Sequence, residues 1–387
     1  MTPTSVALPG GENLVIDGDL LRPFEDELAD LGDAPPVRKA WAAAHVVMRE
    51  EYEDARHSLE KPGSPEEIGR FLDWDATSAL RRELGAHGFG IAEAMDTAQR
   101  FFIGWENARK LIESTTALNL PGGCVAGAGY DHHPGPADLN DLCEAVAFQA
   151  GTISEIGAIP IILPMPWLCE RGCGPKDFVD AYRGILGRLD SPVYLHWLGK
   201  MFLPVLEGYF PGDSFEQVMA LDREKVLGVK ISLLDAEREV AIRRSLAVDG
   251  QEVLTGDDFN FPALVAGDSN GFSHALLGIL DGIARPAGLA FRFLAHGRED
   301  RFRELMAPCE ALSRAVFAPP TQHYKVGLAF LAWLDDRQPN PMLVNREDLA
   351  RDRDHCLGLV ALAAAAGVFS RPDCVAERLS GWLEKTP

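Results

Sequence analysis

Short apolar segments alternate with segments of helical periodicity along most of the chain. Behind the second of them, Phe101, Trp105, Ala108 and Ile112 recur at the spacing of a helix face. Eight apolar segments are short enough to be buried strands, and they cover residues 43–48, 90–96, 124–130, 159–164, 192–197, 226–232, 252–258 and 271–278. Eight strands that alternate with helices predict an α/β fold, a parallel (β/α)8 TIM barrel.

The two ends of the chain depart from this alternation. Residues 1–40 are acidic and rich in turn residues, which predicts an N-terminal extension, with a hairpin as one candidate. Residues 41–285 then form the barrel, with an acidic insertion at 50–67. Residues 286–387 are mostly amphipathic helix, so we expect a C-terminal helical region.

Composition narrows the class of partner and the compartment. The formal net charge is −21, which argues against nucleic acid or an anionic membrane as the main partner. The seven cysteines form no Cys-x-x-Cys pair and no zinc spacing, which is typical of reduced thiols in a cytoplasmic protein. The first residues lack the pattern of a signal peptide, and the apolar run at 357–368 is too short to cross a bilayer.

The segment V-L-G-V-K-I-S at 226–232 places Lys230 inside an apolar strand. Burial disfavours the ammonium form and lowers a lysine pKa, which makes the amine a nucleophile toward carbonyl groups. Gly228 allows another part of the chain to pack closely against the strand. A snorkelling side chain at a sheet edge and a buried ion pair are the alternative explanations.

Polar residues follow several of the predicted strands. In a TIM barrel the carboxyl ends of the strands carry the chemistry, so these side chains are expected to converge on one mouth. The converging set is Glu93, Asp96, Asp131, His132, His133, His196, Lys230, Asp257 and Asp258.

The chain resembles the dihydrodipicolinate synthase / N-acetylneuraminate lyase superfamily of class I aldolases. V-L-G-V-K at 226–230 looks like that family's lysine motif on the sixth strand, and L-T-G-D-D at 254–258 looks like its S-G-D-D. G-F-S at 271–273 stands where the family has G-x-I-S, and Y-K-V-G at 324–327 is similar to its C-terminal helices. The whole chain resembles a divergent, largely uncharacterised branch, marked by A-E-A-M-D-T-A-Q-R and H-W-L-G.

The resemblance implies a lyase or aldolase in which Lys230 forms a Schiff base with a small carbonyl substrate, without another cofactor. His196 occupies the position of the family's catalytic tyrosine, and histidine can also move protons near neutral pH. Tyr194 lies two residues earlier, on the same strand face, and is the second candidate for that role. The resemblance also implies a homo-oligomer, a dimer or a tetramer.

One departure from the family concerns the substrate. The family's G-T-T-G-E segment binds the carboxylate of pyruvate, and A-E-A-M-D at 92–96 replaces it here. A glutamate at this place would repel a carboxylate, so we expect a sugar-derived carbonyl compound rather than pyruvate. The candidate substrate-binding residues are Glu93, Asp96, Asp131, His132, Trp197, Ser232, Asp257 and Ser273.

Two other functions fit the same residues. The first is a metal-dependent barrel isomerase, epimerase or hydrolase, in which Lys230 acts as a base or stabilises charge. Its candidate ligands for a divalent metal are Glu93, Asp131, His132, His133 and His196. The second is a non-catalytic barrel that binds a small molecule.

Overall fold

The barrel is closed and its strands are all parallel. The structure is a computed structural model, which describes residues 3–9, 11, 13–133 and 135–385. An antiparallel hairpin comes first, formed by β1 (Thr4–Ala7) and β2 (Asn13–Ile16). The barrel strands are β3 (Ala40–Ala43), β4 (Gly90–Glu93), β5 (Cys124–Ala128), β6 (Ile159–Ile162), β7 (Val193–Leu198), β8 (Val226–Ser232), β9 (Glu252–Thr255) and β10 (His274–Leu277). Each pairs with the next and β10 pairs with β3, which confirms the predicted (β/α)8 barrel.

Helices connect successive barrel strands, and further helices precede the first barrel strand and follow the last. They are α1 (Arg22–Leu31), α2 (Pro65–Phe71), α3 (Trp74–Ala86), α4 (Arg100–Thr116), α5 (Leu139–Ile156), α6 (Pro166–Glu170), α7 (Pro175–Leu186), α8 (Ser214–Met219), α9 (Ala236–Ala247), α10 (Phe261–Ala266), α11 (Ala284–Ala295), α12 (Glu299–Val316), α13 (Lys325–Leu334), α14 (Arg353–Ala365) and α15 (Pro372–Lys385). Among the described residues, none of these helices is long and apolar enough to cross a bilayer.

The first barrel strand is shifted relative to its prediction. The expected strand at 43–48 is wrong, because β3 ends where that segment begins. Beyond β3 the backbone bonds to side chains instead of to a neighbouring strand. The N–H of His45 donates to Asp281 (3.1 Å), and the N–H of Val47 donates to Thr77 (3.0 Å). Residues 44–48 are therefore a buried loop and not a strand.

Strand alternation sets which side chains enter the barrel. Ala92, Tyr194 and Leu254 belong to one buried cluster that fills the barrel interior. His196 and Lys230 are register partners on β7 and β8, and each lies two residues beyond an interior position. They therefore stand above the apolar interior, toward the carboxyl ends of the strands.

The terminal regions form one layer against one side of the barrel. Val6 and Ile16 of the hairpin share a hydrophobic cluster with Val375 and Leu379 of α15. The same cluster includes residues of β3, β4 and β10 and of α11 to α14. This layer brings the start of α13 to the carboxyl ends of the barrel strands. All seven cysteines are unpaired.

Candidate active site

A cavity opens at the carboxyl ends of the barrel strands. Its walls come from the loops after β4, β6, β7, β9 and β10 and from the segment that precedes α13. The lining residues are Met95, Asp96, Thr97, Phe101, Leu163, Pro164, Pro166, His196, Leu198, Phe202, Leu203, Leu206, Lys230, Ser232, Asp258, Gly278, Phe317 and Tyr324. This is the end of a TIM barrel at which active sites are found.

Lys230 extends from β8 into this cavity and is 8% exposed. Gly256 makes room for its stem, because a Cβ at Gly256 would lie 2.8 Å from the Lys230 Cε. No described residue bonds to the Lys230 ammonium group, and none forms an ion pair with it within 4.0 Å. Burial lowers the pKa of Lys230 to about 8, although Asp258 and Asp96 act in the opposite direction. Near neutral pH about a tenth of the amine is therefore uncharged, far more than for a lysine with an ordinary pKa.

His196 stands beside Lys230 and contacts Ser232. Its Nε2 lies 3.2 Å from the Ser232 Oγ, while its Nδ1 has no partner among the described residues. Burial, together with the charge of Lys230, holds the pKa of His196 well below its usual range. The imidazole is therefore neutral and can accept a proton.

Asp258 follows β9, the strand next to β8, and among the described residues it is one of two acidic side chains that line the cavity. The N–H of Ile279 donates to its carboxylate (3.0 Å), and burial raises its pKa to about 7. Lys230 lowers that pKa and Asp257 raises it, so the burial of the carboxyl group dominates. The Asp258 carboxyl group and the Lys230 amine therefore titrate in the same pH range.

A pair of hydroxyl groups forms another part of the cavity wall. The Tyr324 hydroxyl lies 2.7 Å from the Thr97 Oγ1, and the Tyr324 ring stacks on Phe317 with centroids 4.4 Å apart. Burial, and then the Asp96 carboxylate, raise the pKa of Tyr324 well above its usual range. Tyr324 is therefore a neutral phenol. The next residue, Lys325, donates to Asp96 (3.0 Å), so α13 is fixed to the loop after β4.

The structure corrects the predicted role of Glu93. Its side chain leaves the barrel and lies between β4 and the helices, where Arg81 donates to both carboxylate oxygens (2.9 and 3.0 Å) and Thr115 donates at 2.7 Å. Burial opposes ionisation of Glu93, but Arg81 outweighs it and holds the pKa below its ordinary value. Glu93 does not line the cavity and is paired with Arg81, so it is not placed to repel a substrate carboxylate there, contrary to the prediction.

Tyr194 is inside the barrel but at its other end. Its hydroxyl donates to Glu252 (2.5 Å) and accepts from Lys39 (3.3 Å), next to the amino ends of the strands. The face that it shares with His196 was predicted correctly. A separation of two residues along β7 nevertheless places Tyr194 one layer below the cavity, and the prediction that it is catalytic is wrong.

Three candidates on the side of β5 and β7 also lie away from the cavity. Arg100 donates to Asp131 (2.8 Å), and Gln149 contacts both Asp131 and the His132 Nδ1 (3.0 Å). Asp131 and His132 line a separate open groove on the surface. Trp197 points away from the barrel interior into an aromatic cluster beside α8. These three side chains organise the loops and the outer packing.

Asp257 and Ser273 are committed to local hydrogen bonds. Asp257 accepts the backbone N–H groups of Phe259 (2.9 Å) and Asn260 (3.0 Å), which shapes the turn before α10. Ser273 donates to the buried Glu239 (2.7 Å). Neither residue lines the cavity, so their prediction as substrate-binding residues is corrected.

The candidate metal ligands are dispersed. Glu93 faces Arg81, His133 pairs with Asp141 near the surface (3.1 Å), and His196 alone of the set enters the cavity. Within the described ranges no group of three or more His, Cys, Asp and Glu side chains is arranged to hold a metal ion.

Four of the predicted site residues meet in the cavity: Lys230, His196, Asp96 and Ser232. Their roles stay predictions. Thr97, Tyr324 and the apolar walls were not predicted. Thr97 lies next to Asp96 in sequence, and Tyr324 lies in the Y-K-V-G segment. Neither residue has a sequence feature of its own that indicates a place in the site. Asp258 is adjacent to Asp257, and the sequence alone did not separate the two.

Solved structures with the same fold include lyases. A dihydrodipicolinate synthase from Oceanobacillus iheyensis is 15% identical (TM-score 0.62), and the match covers 85% of this chain and 96% of that one. The chloride-inhibited dihydrodipicolinate synthase from Acinetobacter baumannii, complexed with pyruvate, is 14% identical (TM-score 0.61), with 86% and 100% covered. N-acetylneuraminate lyase from Fusobacterium nucleatum, complexed with pyruvate, is 14% identical (TM-score 0.59), with 85% and 96% covered.

Comparison by sequence identifies the family of the chain. No curated protein matches the chain significantly. The family described as "Protein of unknown function (DUF993)" matches residues 22–386, which is nearly the whole chain. The fold of the chain is therefore similar to that of dihydrodipicolinate synthases and N-acetylneuraminate lyase, and by its sequence the chain belongs to this family of proteins of unknown function, DUF993.

Proposed function

We propose that this protein is a lyase of the class I aldolase type, which forms an imine between Lys230 and a small carbonyl compound. The observation that carries the proposal is the buried Lys230 amine, which has no ionic partner among the described residues and opens into the cavity beside a neutral His196. A lysine in such a place costs stability, and a reactive amine explains why it is there. The likeness in fold to known lyases supports the same reaction class. A homo-oligomeric state stays a prediction.

The reaction begins when the neutral Lys230 amine adds to the carbonyl carbon and a C–N bond forms. The carbonyl oxygen takes up protons and leaves as water, which gives an iminium group. When a bond at the carbon next to the former carbonyl carbon breaks, its electron pair enters the iminium group and forms an enamine. The other part leaves as a proton or, in an aldol cleavage, as an aldehyde or ketone once its hydroxyl group has lost a proton to a base. Protonation of the enamine carbon and hydrolysis then return the free lysine.

Proton transfer in these steps falls to the polar groups around Lys230. The neutral His196 can accept a proton, and its contact with Ser232 orients the ring. The neutral Tyr324 phenol can donate a proton, and its hydrogen bond with the Thr97 Oγ1 orients the hydroxyl group. These are roles that the cavity geometry supports for side chains from three separate parts of the chain.

Reductive trapping tests the proposal. The protein is incubated with sodium cyanoborohydride and one of four methyl ketones: pyruvate, hydroxyacetone, 2-pentanone or phenylacetone. Peptide mass spectrometry should then find the reduced secondary amine at Lys230 and at no other lysine. An absence of adduct with every ketone, or equal labelling of surface lysines, would contradict imine formation at Lys230.

The pH dependence of trapping reports the ionisation of Lys230. Since its pKa is lowered to about 8, the initial labelling rate should rise about tenfold per pH unit below pH 7 and level off above pH 8. Asp258→Asn removes a group that raises this pKa, so the profile should shift to lower pH. A rate that still rises steeply between pH 9 and 10 would show a lysine with an ordinary pKa.

Two of the buried tyrosines, Tyr324 and Tyr194, form a matched pair for testing proton transfer. Tyr324→Phe should slow the exchange of ketone α-protons in D₂O by about 10²-fold, because its hydroxyl borders the reacting groups. Tyr194→Phe removes a hydroxyl at the opposite end of the barrel and should leave the exchange rate unchanged. NMR measures both rates. Equal rates in the two variants would remove Tyr324 from the mechanism.

A further inference from the structure

The polar groups of the cavity are largely bonded to one another. Thr97 pairs with Tyr324 (2.7 Å), His196 contacts Ser232 (3.2 Å), and Asp96 accepts from Lys325 (3.0 Å). The Asp258 carboxylate is likewise occupied by the N–H of Ile279. Apart from the Lys230 amine and the His196 Nδ1, which have no partner among the described residues, a bound molecule with several hydroxyl groups would have to compete for donors and acceptors that already have partners.

The remaining walls are apolar. The end of β7 and the loop that follows it supply Leu198, Phe202, Leu203 and Leu206 to the cavity, and Phe317 lines it from the C-terminal layer. The Phe202 ring stands edge-on to Phe317, with centroids 6.5 Å apart. Hydroxyl groups placed against such walls would lose their hydration without replacement, whereas hydrocarbon would gain.

Phe101 extends the apolar surface to the cavity mouth. It lines the cavity although its side chain is 59% exposed, which is unusual for an aromatic ring. An exposed ring at the entrance of an apolar pocket is typical of a surface that a ligand covers.

The charges in the cavity disfavour an anion. Among the residues that the structure describes, the lining contains the carboxyl groups of Asp96 and Asp258, no arginine, and Lys230 as its one lysine. Lys325 lies nearby but is bound to Asp96. A substrate carboxylate or phosphate would therefore meet no cation except the amine that must be neutral to react.

We infer that the substrate is an uncharged aldehyde or ketone whose non-reacting part is a hydrocarbon or aromatic group, and this inference rests on the proposed imine chemistry at Lys230. The carbonyl group reaches Lys230 and the polar end of the cavity, and the apolar part packs against the walls formed by Phe202 and Phe317. The inference replaces both the sugar-derived compound expected from the sequence and a 2-oxo acid.

A series of methyl ketones tests this substrate class. The concentration for half-maximal cyanoborohydride labelling of Lys230 should fall about fourfold for each methylene from acetone to 2-hexanone. Phenylacetone should label at lower concentration than pyruvate or dihydroxyacetone. The inference would be overturned if pyruvate or dihydroxyacetone gave half-maximal labelling at a lower concentration than every other ketone of the series.

Variants locate the apolar part of the ligand. Phe202→Ser should raise the half-maximal concentration of phenylacetone about tenfold and leave that of acetone unchanged. Phe272→Ser is the control, because Phe272 is 40% exposed and stacks on Arg38 outside the cavity. Equal effects of the two variants would contradict the assigned walls.

A non-reactive ligand separates this inference from the imine chemistry. Calorimetry should detect binding of 1-phenyl-2-propanol, the alcohol analogue of phenylacetone, and no binding of lactate, the analogue of pyruvate. If no ketone labels Lys230, the proposed function fails, while binding of 1-phenyl-2-propanol that Phe202→Ser weakens still supports an apolar ligand. Binding of lactate in preference would overturn the inference whether or not trapping succeeds.

Discussion

Lys230→Met is expected to lower the rate of ketone α-proton exchange by at least about 10⁴-fold and to abolish reductive labelling. Methionine fills a similar volume but has no amine, so no imine can form. Exchange is measured by NMR in D₂O with the ketone that labels the wild-type protein best, and labelling is measured by mass spectrometry. Retention of more than about 1% of the exchange rate would assign the chemistry to another group.

The same substitution should not weaken the fold. The pKa of Lys230 is lowered to about 8 in the folded protein and is ordinary in the unfolded chain, so below pH 8 folding must bury a charge that water solvates well. This cost disappears as pH rises through the unfolded pKa. At pH 7 we expect Lys230→Met to be more stable by about 1–3 kcal/mol, and urea unfolding measures the difference.

Lys225→Met is the matched control, because Lys225 directly precedes β8 at the opposite end of the barrel. Its ammonium group donates to the Leu186 carbonyl (3.1 Å). This variant should retain full labelling and exchange. A Lys230→Met variant that is both inactive and markedly less stable would indicate a structural lysine instead of a reactive one.

Strand alternation explains which site residues the sequence could predict. Val226–Ser232 was predicted with its observed bounds, because a continuous apolar run is interrupted only by Lys230. Alternation then sends Lys230 and Ser232 to the same face, toward the cavity. In β4, by contrast, Gly90–Glu93 is buried on both faces. The sequence pattern therefore does not indicate which of its side chains point into the barrel, and the side to which Glu93 points could not be predicted.

Loops and distant segments explain most of what the sequence left open. Asp257 and Asp258 both follow β9, and only the turn before α10 decides that Asp257 binds the backbone while Asp258 enters the cavity. Tyr324 reaches the cavity because Lys325 fixes α13 to Asp96. Such long-range contacts depend on the packing of the C-terminal layer and leave no periodic signal in the sequence.

Glu93→Ala is expected to reduce the free energy of unfolding by about 3–5 kcal/mol, because it leaves the Arg81 guanidinium buried without its carboxylate. Arg81 is 1% exposed and would retain only carbonyl partners, including those of Ala44 and His45. Urea unfolding at 25 °C measures the loss. Labelling of Lys230 in the folded variant should need the same ketone concentration as in the wild-type protein, since Glu93 does not line the cavity.

Two further variants decide whether this loss belongs to the buried charge. Glu66→Ala removes the carboxylate of an exposed pair with Arg70 and should cost less than about 0.5 kcal/mol. In the double variant Arg81→Met/Glu93→Leu, both charges are replaced by apolar groups, so much of the lost stability should return. A single Glu93→Ala variant that is as stable as the wild-type protein but needs a much higher ketone concentration for labelling would return Glu93 to the substrate site, against the contacts that it makes with Arg81 and Thr115.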